Sequence, residues 1–266
     1  MAVNRINEFL EAVKTSTDLK TLVNTELEYL DNELTLSSKK RAITRYRNAI
    51  KIALGVESEV LKIFKLNLEE IKEFNHNKLV QKDNDHSNLK PLDPVTVVET
   101  ALEVLQTRGS YSKVAVAICL LTGRRSVEVL KTAKFTYVCD DRVLFEGQVK
   151  KGPLESLPYE IPVLGDSTQI IEALGYVRSV ALFADLSNDA IHSRCNKTMN
   201  ETAKKCFGSA IAGVSVKALR SAYAEIASYW LKPDHQSKAK FMASILGHSE
   251  LDLATAQSYE DFYIVD

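Results

Sequence analysis

Four short islands of this sequence carry cations or hydroxyls of the types, and at the spacing, to do chemistry. The first, Leu121-Thr122-Gly123-Arg124-Arg125-Ser126-Val127-Glu128, places Arg125 after a glycine turn, near the start of a helix. Glu128, one helical turn on, can orient a guanidinium or simply favour the helix dipole. The second, Phe145-Glu146-Gly147-Gln148-Val149-Lys150-Lys151-Gly152-Pro153, puts Lys150 at the end of a strand and Lys151 at the turn. A lysine on a hairpin can hand a proton to a leaving oxygen as a general acid. In the third, Val216 to Tyr223, Lys217 and Arg220 stand three apart on a helix and share a face. Two cations in register suit a phosphate. The fourth island is Ile245-Leu246-Gly247-His248-Ser249 followed by Ala256-Gln257-Ser258-Tyr259-Glu260, with Tyr259 eleven residues after His248. Each island alone reads more readily as surface or scaffold.

The elements that must position these residues follow from periodicity. The first 80 residues read as helical, with Ile6, Leu10, Val13 and then Leu19, Leu22, Val23 at helix-like spacing. Ser38 is expected to cap a helix from Lys39 to Leu54 that stops at Gly55. Lys39, Lys40, Arg41, Arg45, Arg47 and Lys51 make it basic, while Ala42, Tyr46, Ala49 and Ala53 form its partly apolar stripe. Such a surface is either a solvated face or a contact for phosphates, since clustered Lys and Arg release DNA counterions. A further helix is expected over Glu57 to Val80. Lys82 to Pro94 is polar, holds two prolines, and reads as an interdomain linker.

Beyond it, Val95 to Gln106, the nearly all-apolar Lys113 to Leu121, and Arg125 to Ala133 read as helices. The period then changes. Phe135 to Cys139, Val143 to Val149 and Tyr159 to Val163 are rich in β-branched and aromatic residues and predict a three-stranded antiparallel meander. Helices return at Ser167 to Val180, Lys197 to Cys206, Val214 to Trp230, Lys238 to Leu246 and Leu253 to Tyr259. The fold class is mainly α with one small antiparallel sheet. Its expected organisation is a helical N-terminal domain (1–81), a linker (82–94) and a second domain (95–266) that holds all four islands.

Composition narrows the function classes. With 34 basic and 35 acidic side chains in 266 residues, the formal charge is −1, so nucleic acid can be attracted only by local basic surfaces. Hydrophobic residues at 45% and only ten glycines and six prolines exclude a disordered or low-complexity chain. No run approaches the roughly 18 apolar residues of a membrane span, and the polar start is no signal peptide, so a soluble, intracellular protein without a membrane partner is expected. Cys119, Cys139, Cys195 and Cys206 form no C-x-x-C pair and read as idle thiols. No cluster of Asp, Glu and His has ligand spacing, so neither metal nor cofactor is expected.

Taken in order, an arginine, a strand lysine, Lys-x-x-Arg, Gly-His and a tyrosine resemble the active-site series of tyrosine recombinases and type IB topoisomerases. Thr122 to Glu128 (T-G-x-R-x-x-E) and Leu246 to His248 (L-G-H) are the more specific signatures, and the resemblance covers about Val95 to Asp266. Within that superfamily the chain is most similar to the telomere resolvases, or protelomerases, which make covalently closed DNA hairpin ends. The run Arg124 to Thr132, the strand Phe145-Glu146-Gly147-Gln148-Val149-Lys150, and lysine rather than histidine at position 217 carry that likeness.

The resemblance implies that Tyr259 attacks a phosphodiester and leaves a 3′-phosphotyrosyl bond, so that rejoining needs no ATP. It assigns Arg125 and Arg220 to the phosphate oxygens, which guanidinium forks fit. Lys150, rather than Lys151, would protonate the leaving 5′-oxygen, and Lys217 and His248 would add hydrogen bonds or proton transfer. Because the His248–Tyr259 interval is about two residues longer than in ordinary integrases, Tyr263 stays open as the nucleophile. The implied partner is palindromic double-stranded DNA bound by a homodimer. Arg124, Lys151, Lys197, Lys204 and the six cations of Lys39 to Lys51 are the expected DNA contacts. The alternative is a conventional site-specific recombinase.

Overall fold

Residues 2–149, 157–248 and 258–265 are described by the computed structural model, and the chain divides into units Met1–Asp83 and Asn84–Asp266. In the first unit, side-chain caps set the helix starts. α1 (Ala2–Thr15) is followed by α2 (Leu19–Glu33), whose Asp18 cap accepts from Thr21 N. α3 (Leu36–Leu54) opens one turn earlier than expected, because Thr35, not Ser38, supplies the capping oxygen, and it closes at Gly55 as expected.

The buried face of α3 is Lys39, Ile43, Tyr46 and Ile50, rotated from the expected alanine stripe. Larger side chains bury more apolar area, so the isoleucines win the inward face over the alanines. Tyr46 packs its ring against Phe9 and Phe64, with centroids 5.4 and 5.0 Å away. Its hydroxyl donates to Glu26, which also receives a two-pronged bond from Arg5 at 2.7 and 2.9 Å.

Two of the expected DNA contacts are corrected here. Lys39 is only 4% exposed, with its ammonium clasped by Asp31 and Glu70. Burial works against that charge, but the two carboxylates outweigh it and raise the pKa. Arg47 donates to the carbonyls of Leu61 and Phe64, where α4 (Glu59–Ile63) ends. Both are scaffold. Lys40, Arg41, Arg45 and Lys51 remain exposed.

The single helix expected over Glu57 to Val80 is broken. Asn67 and Glu70 form a reciprocal capping box, Asn67 N to Glu70 Oε2 at 2.7 Å and Glu70 N to Asn67 Oδ1 at 2.9 Å, and start α5 (Leu68–Ser87). α5 then runs through the first six residues of the expected linker, and strand β1 (Lys90–Leu92) takes three of the others. A polar helix exposed around most of its circumference has the composition of a linker, so composition alone does not separate the two.

The second unit is built around α7 (Tyr111–Thr122), nearly all of it buried. α6 (Pro94–Thr107), α8 (Ser167–Val180), α9 (Asn188–Phe207) and α10 (Val216–Leu231) pack on it. Shortening Leu120 to alanine in this core should cost about 2–5 kcal/mol. After α7 comes a π-helical turn, Glu128–Thr132, where an ordinary helix was expected. Strands β2 (Lys134–Cys139), β3 (Arg142–Glu146) and β4 (Tyr159–Pro162) make the expected antiparallel meander, with Phe135 opposite Phe145 and Phe145 opposite Tyr159.

α11 (Lys238–Leu246) matches its expected span residue for residue. The helix expected over Leu253 to Tyr259 falls mostly outside the described residues, and Tyr259 itself lies in a turn. β5 (Phe262–Ile264), not expected at all, pairs parallel with β1, Lys90 opposite Phe262. All four cysteines are free thiols. Among the described residues, no helix is long and apolar enough to cross a membrane.

Candidate active site

Two guanidiniums join the ends of α7 and α11. Gly123 ends α7 at φ +65°, where an added Cβ would stand 2.2 Å from the Tyr223 ring. Gly247 ends α11 at φ +69°, with a Cβ position 2.1 Å from the Tyr159 hydroxyl. Both positions need glycine for conformation and for space. The last carbonyls of a helix have no intrahelical partner. Arg220, from α10, supplies donors to Gly123 O and, at 2.7 Å, to Leu246 O. Arg124 supplies them to Ile245 O, to Thr122 O at 3.1 Å, and to the Tyr159 hydroxyl at 2.6 Å.

These arginines differ in what they have left. Arg124 is fully buried, lies 4.6 Å from the centroid of the Phe145 ring, and bonds internally through all three nitrogens. It is therefore removed from the expected DNA contacts. Arg220 is 3% exposed, and its Nε has no hydrogen-bond partner among the described residues. Burial, aided by the charges of Arg124 and Arg125, pulls its pKa down to about 10. A cation so poorly compensated gains when an anion arrives.

Arg125 is held by the π-helical turn. The Glu128 carboxylate, fully buried, accepts from Arg125 N at 2.8 Å and from Arg125 Nη1 at 2.7 Å. Its Oε1 also accepts from Val149 N at 3.2 Å, so one carboxylate ties the arginine to the strand arm that leads toward Lys150. Burial opposes the Glu128 charge, but Arg124 and Arg125 outweigh it and hold the carboxyl below its ordinary range. Arg178, on α8, fixes the turn itself by donating to the carbonyls of Glu128 (2.8 Å), Val129 (2.8 Å), Ala133 (3.1 Å) and Lys131. Gln148 joins the same arm to α11, its Nε2 donating to Gly247 O at 2.7 Å.

These ties surround a cleft of about 580 Å³ whose walls include Arg125, Lys217, Arg220 and Tyr259. The Arg220 guanidinium carbon is 5.3 Å from the Tyr259 ring centroid, and the centroid of the His248 ring is 5.7 Å from it. Lys217 is exposed, while Arg125, His248 and Tyr259 are half-buried. The structure thus gathers five of the six expected catalytic residues. Lys150, with Lys151, lies outside the described residues. Tyr263 sits in β5 opposite Pro91 and is not among the residues lining the cleft. Lys197 and Lys204 are exposed on α9 but likewise do not line it.

One wall lies beyond the four islands. Asn188, His192, Asn196 and Asn200, spaced by four along α9, all line the cleft. The adjoining face of α9 buries Ile191, Cys195, Met199 and Ala203, so the amphipathic spacing carries a legible signal. Asn200 Oδ1 also accepts from Val216 N at 3.0 Å, helping to seat the start of α10 beside Lys217.

A family model for the telomere resolvase ResT/TelK catalytic domain matches residues 88–262. The chain belongs to this telomere resolvase family. A protelomerase of Yersinia phage PY54 is 27% identical over 206 residues, covering 67% of this chain and 33% of that protein. The telomere resolvase ResT of Borreliella burgdorferi (strain ATCC 35210 / DSM 4680 / CIP 102532 / B31) is 25% identical over 152 residues, 56% of this chain and 33% of that one. The match thus spans a third of the length of both curated relatives. Among solved structures, a TelA protelomerase mutant complexed with DNA hairpin product is similar at TM-score 0.89 and 26% identity, covering 99% of this chain and 88% of that one. The mainly helical fold with its small antiparallel sheet is that of the telomere resolvases.

Proposed function

We propose that this chain breaks and rejoins DNA through a phosphotyrosyl bond at Tyr259, resolving a palindromic duplex into hairpin ends. The observation that carries the reading is the placement of Tyr259 beside Arg220 and His248, in one cleft with Arg125 and Lys217. The Tyr259 oxygen attacks phosphorus, the P–O5′ bond breaks, and the 3′-phosphate stays on the enzyme. Arg125 and Arg220 stabilise the extra negative charge on the non-bridging oxygens, the role pre-set donors serve best. Lys217 and His248 complete the phosphate contacts, and Lys150 protonates the departing 5′-oxygen. In the second half the 5′-hydroxyl of the complementary strand attacks the phosphotyrosine and frees the phenol, so the bond energy is kept.

Membership of the resolvase family and the likeness to a TelA enzyme complexed with hairpin product support resolution over strand exchange. Two copies on a twofold-symmetric site match the symmetry of a palindrome. The helical unit 1–83 would serve as the core-binding-like domain, laying Lys40, Arg41, Arg45 and Lys51 along the phosphate backbone, with Lys197 and Lys204 as further contacts and residues 84–266 as the catalytic domain. The enzyme would work on nucleoid DNA in a bacterial cytoplasm. A supercoiled plasmid carrying the palindrome of its own replicon tests the reading. Linear product whose ends snap back after denaturation is expected; exchanged junctions would mean a conventional recombinase, and relaxed circles a topoisomerase.

A further inference from the structure

We infer that Asp261 and Ser221 form the tie that positions the nucleophile, an inference that rests on Tyr259 being that nucleophile. Ser221 is fully buried on α10 and immediately follows Arg220. Its hydroxyl donates to Asp261 Oδ2 at 2.5 Å. Asp261 is also held through its backbone, its carbonyl accepting from Lys90 N at 3.1 Å just before β1 and β5 pair. Tyr259 is two residues upstream, and two residues of chain reach at most about 7 Å. One helix therefore carries both the guanidinium beside the tyrosine ring and the hydroxyl that fixes the tyrosine's own segment.

The position of this tie gives it a separate job from the strand. β5 is kept in place by its pairing with β1 and by Phe262, which is 1% exposed in the core. Those contacts reach Asp261 through its carbonyl alone, so its side chain is free for the bond to Ser221. Between Asp261 and Tyr259, Glu260 makes a weaker contact, its Oε2 lying 3.9 Å from His86 Nδ1. The Ser221–Asp261 bond is charge-assisted, a class about twice as strong as neutral hydrogen bonds. Removing it leaves β5 paired and loosens the turn that aims the phenol. In-line attack tolerates little such slack, since a misplacement of about 1 Å can cost on the order of a hundredfold in rate.

The experiment uses the whole chain and a duplex bearing the palindrome of its own replicon, in single turnover. The Ser221→Ala and Asp261→Ala variants are expected to form the covalent protein–DNA adduct about ten- to a hundredfold more slowly, at an unchanged half-saturating DNA concentration. Asp261→Asn keeps an acceptor oxygen and is expected to recover most of the rate. Adduct formation at the wild-type rate in both alanine variants would overturn the tie, as would a loss of DNA binding in step with the rate. Tyr259→Phe runs alongside: if it abolishes the adduct while Ser221→Ala does not slow it, the tie alone is wrong. If Tyr259→Phe still forms the adduct, the nucleophile assignment falls and the tie with it.

Discussion

The two units of this chain spend their cations differently. In Met1–Asp83, apart from the half-buried Arg47, which bonds two carbonyls, the cations drawn inward pair with carboxylates: buried Lys39 with Asp31 and Glu70, and half-buried Arg5 with Glu26. Their charges are cancelled, and the exposed Lys40, Arg41, Arg45 and Lys51 are left to act as an open surface. In Asn84–Asp266 the buried Arg124 and Arg220, with the half-buried Arg178, face backbone carbonyls instead. Arg124, Arg178 and Arg220 bond helix ends and turns, and only Glu128 provides a nearby buried countercharge among the described residues. A carbonyl orients a guanidinium without neutralising it. The second unit therefore concentrates positive potential that a phosphate can complete, while the first leaves its unpaired cations spread over an exposed surface.

The sharpest way to break this contrast is to exchange roles within it. Arg220→Ala should lower the rate of adduct formation by a hundredfold or more, about 3 kcal/mol as for other transition-state donors, with DNA affinity nearly unchanged in a gel-shift titration. Replacing Lys40, Arg41, Arg45 and Lys51 together by alanine should do the reverse. Affinity should fall, and the slope of log K against log salt should shrink by roughly 0.9 for each phosphate no longer neutralised, while the rate at saturating DNA holds. Should the slope stay the same, the first unit's surface does not touch the phosphates.

Two smaller effects test the scaffold. Arg124→Met should lower thermal stability, since each buried carbonyl left unpaired costs about 1–3 kcal/mol, and calorimetry would measure it. A variant as stable as the parent would show that Arg124 is not a structural tie. The smallest effect is a pH slope. Glu128 has its folded pKa depressed below its ordinary value of 4.5, so the stability it contributes is present above that value. It is lost as the pH falls through the folded pKa. Urea midpoints followed down from neutral pH should therefore fall more steeply for the parent than for Glu128→Gln.

Much of this is legible in residue spacing. Gly55, Gly123 and Gly247 each end a helix where the spacing predicts an end, and the meander lies where β-branched and aromatic residues replace the helical period. The order of Arg125, Lys217, Arg220, His248 and Tyr259 is enough to suggest a common site. What cannot be read depends on partners far along the chain. Lys39 and Arg124 are buried only because Asp31, Glu70 and the carbonyl of Ile245 come to meet them, and no local pattern distinguishes them from Lys40 or Arg125. The β1–β5 pair joins two three-residue strands from the two ends of the second unit, each too short to show a period. The Asn67–Glu70 capping box and the α9 polar row are different: their signals are local, and spacing alone could have found them.

The central claim is that the phenol beside Arg220 and His248 takes the phosphate. Trapping the covalent intermediate on palindromic DNA, digesting it with trypsin and nuclease, and sequencing the nucleotide-bearing peptide by mass spectrometry tests it directly. The expected result is the modification on Tyr259. Its appearance on Tyr263, or on any residue outside the cleft, would contradict the account.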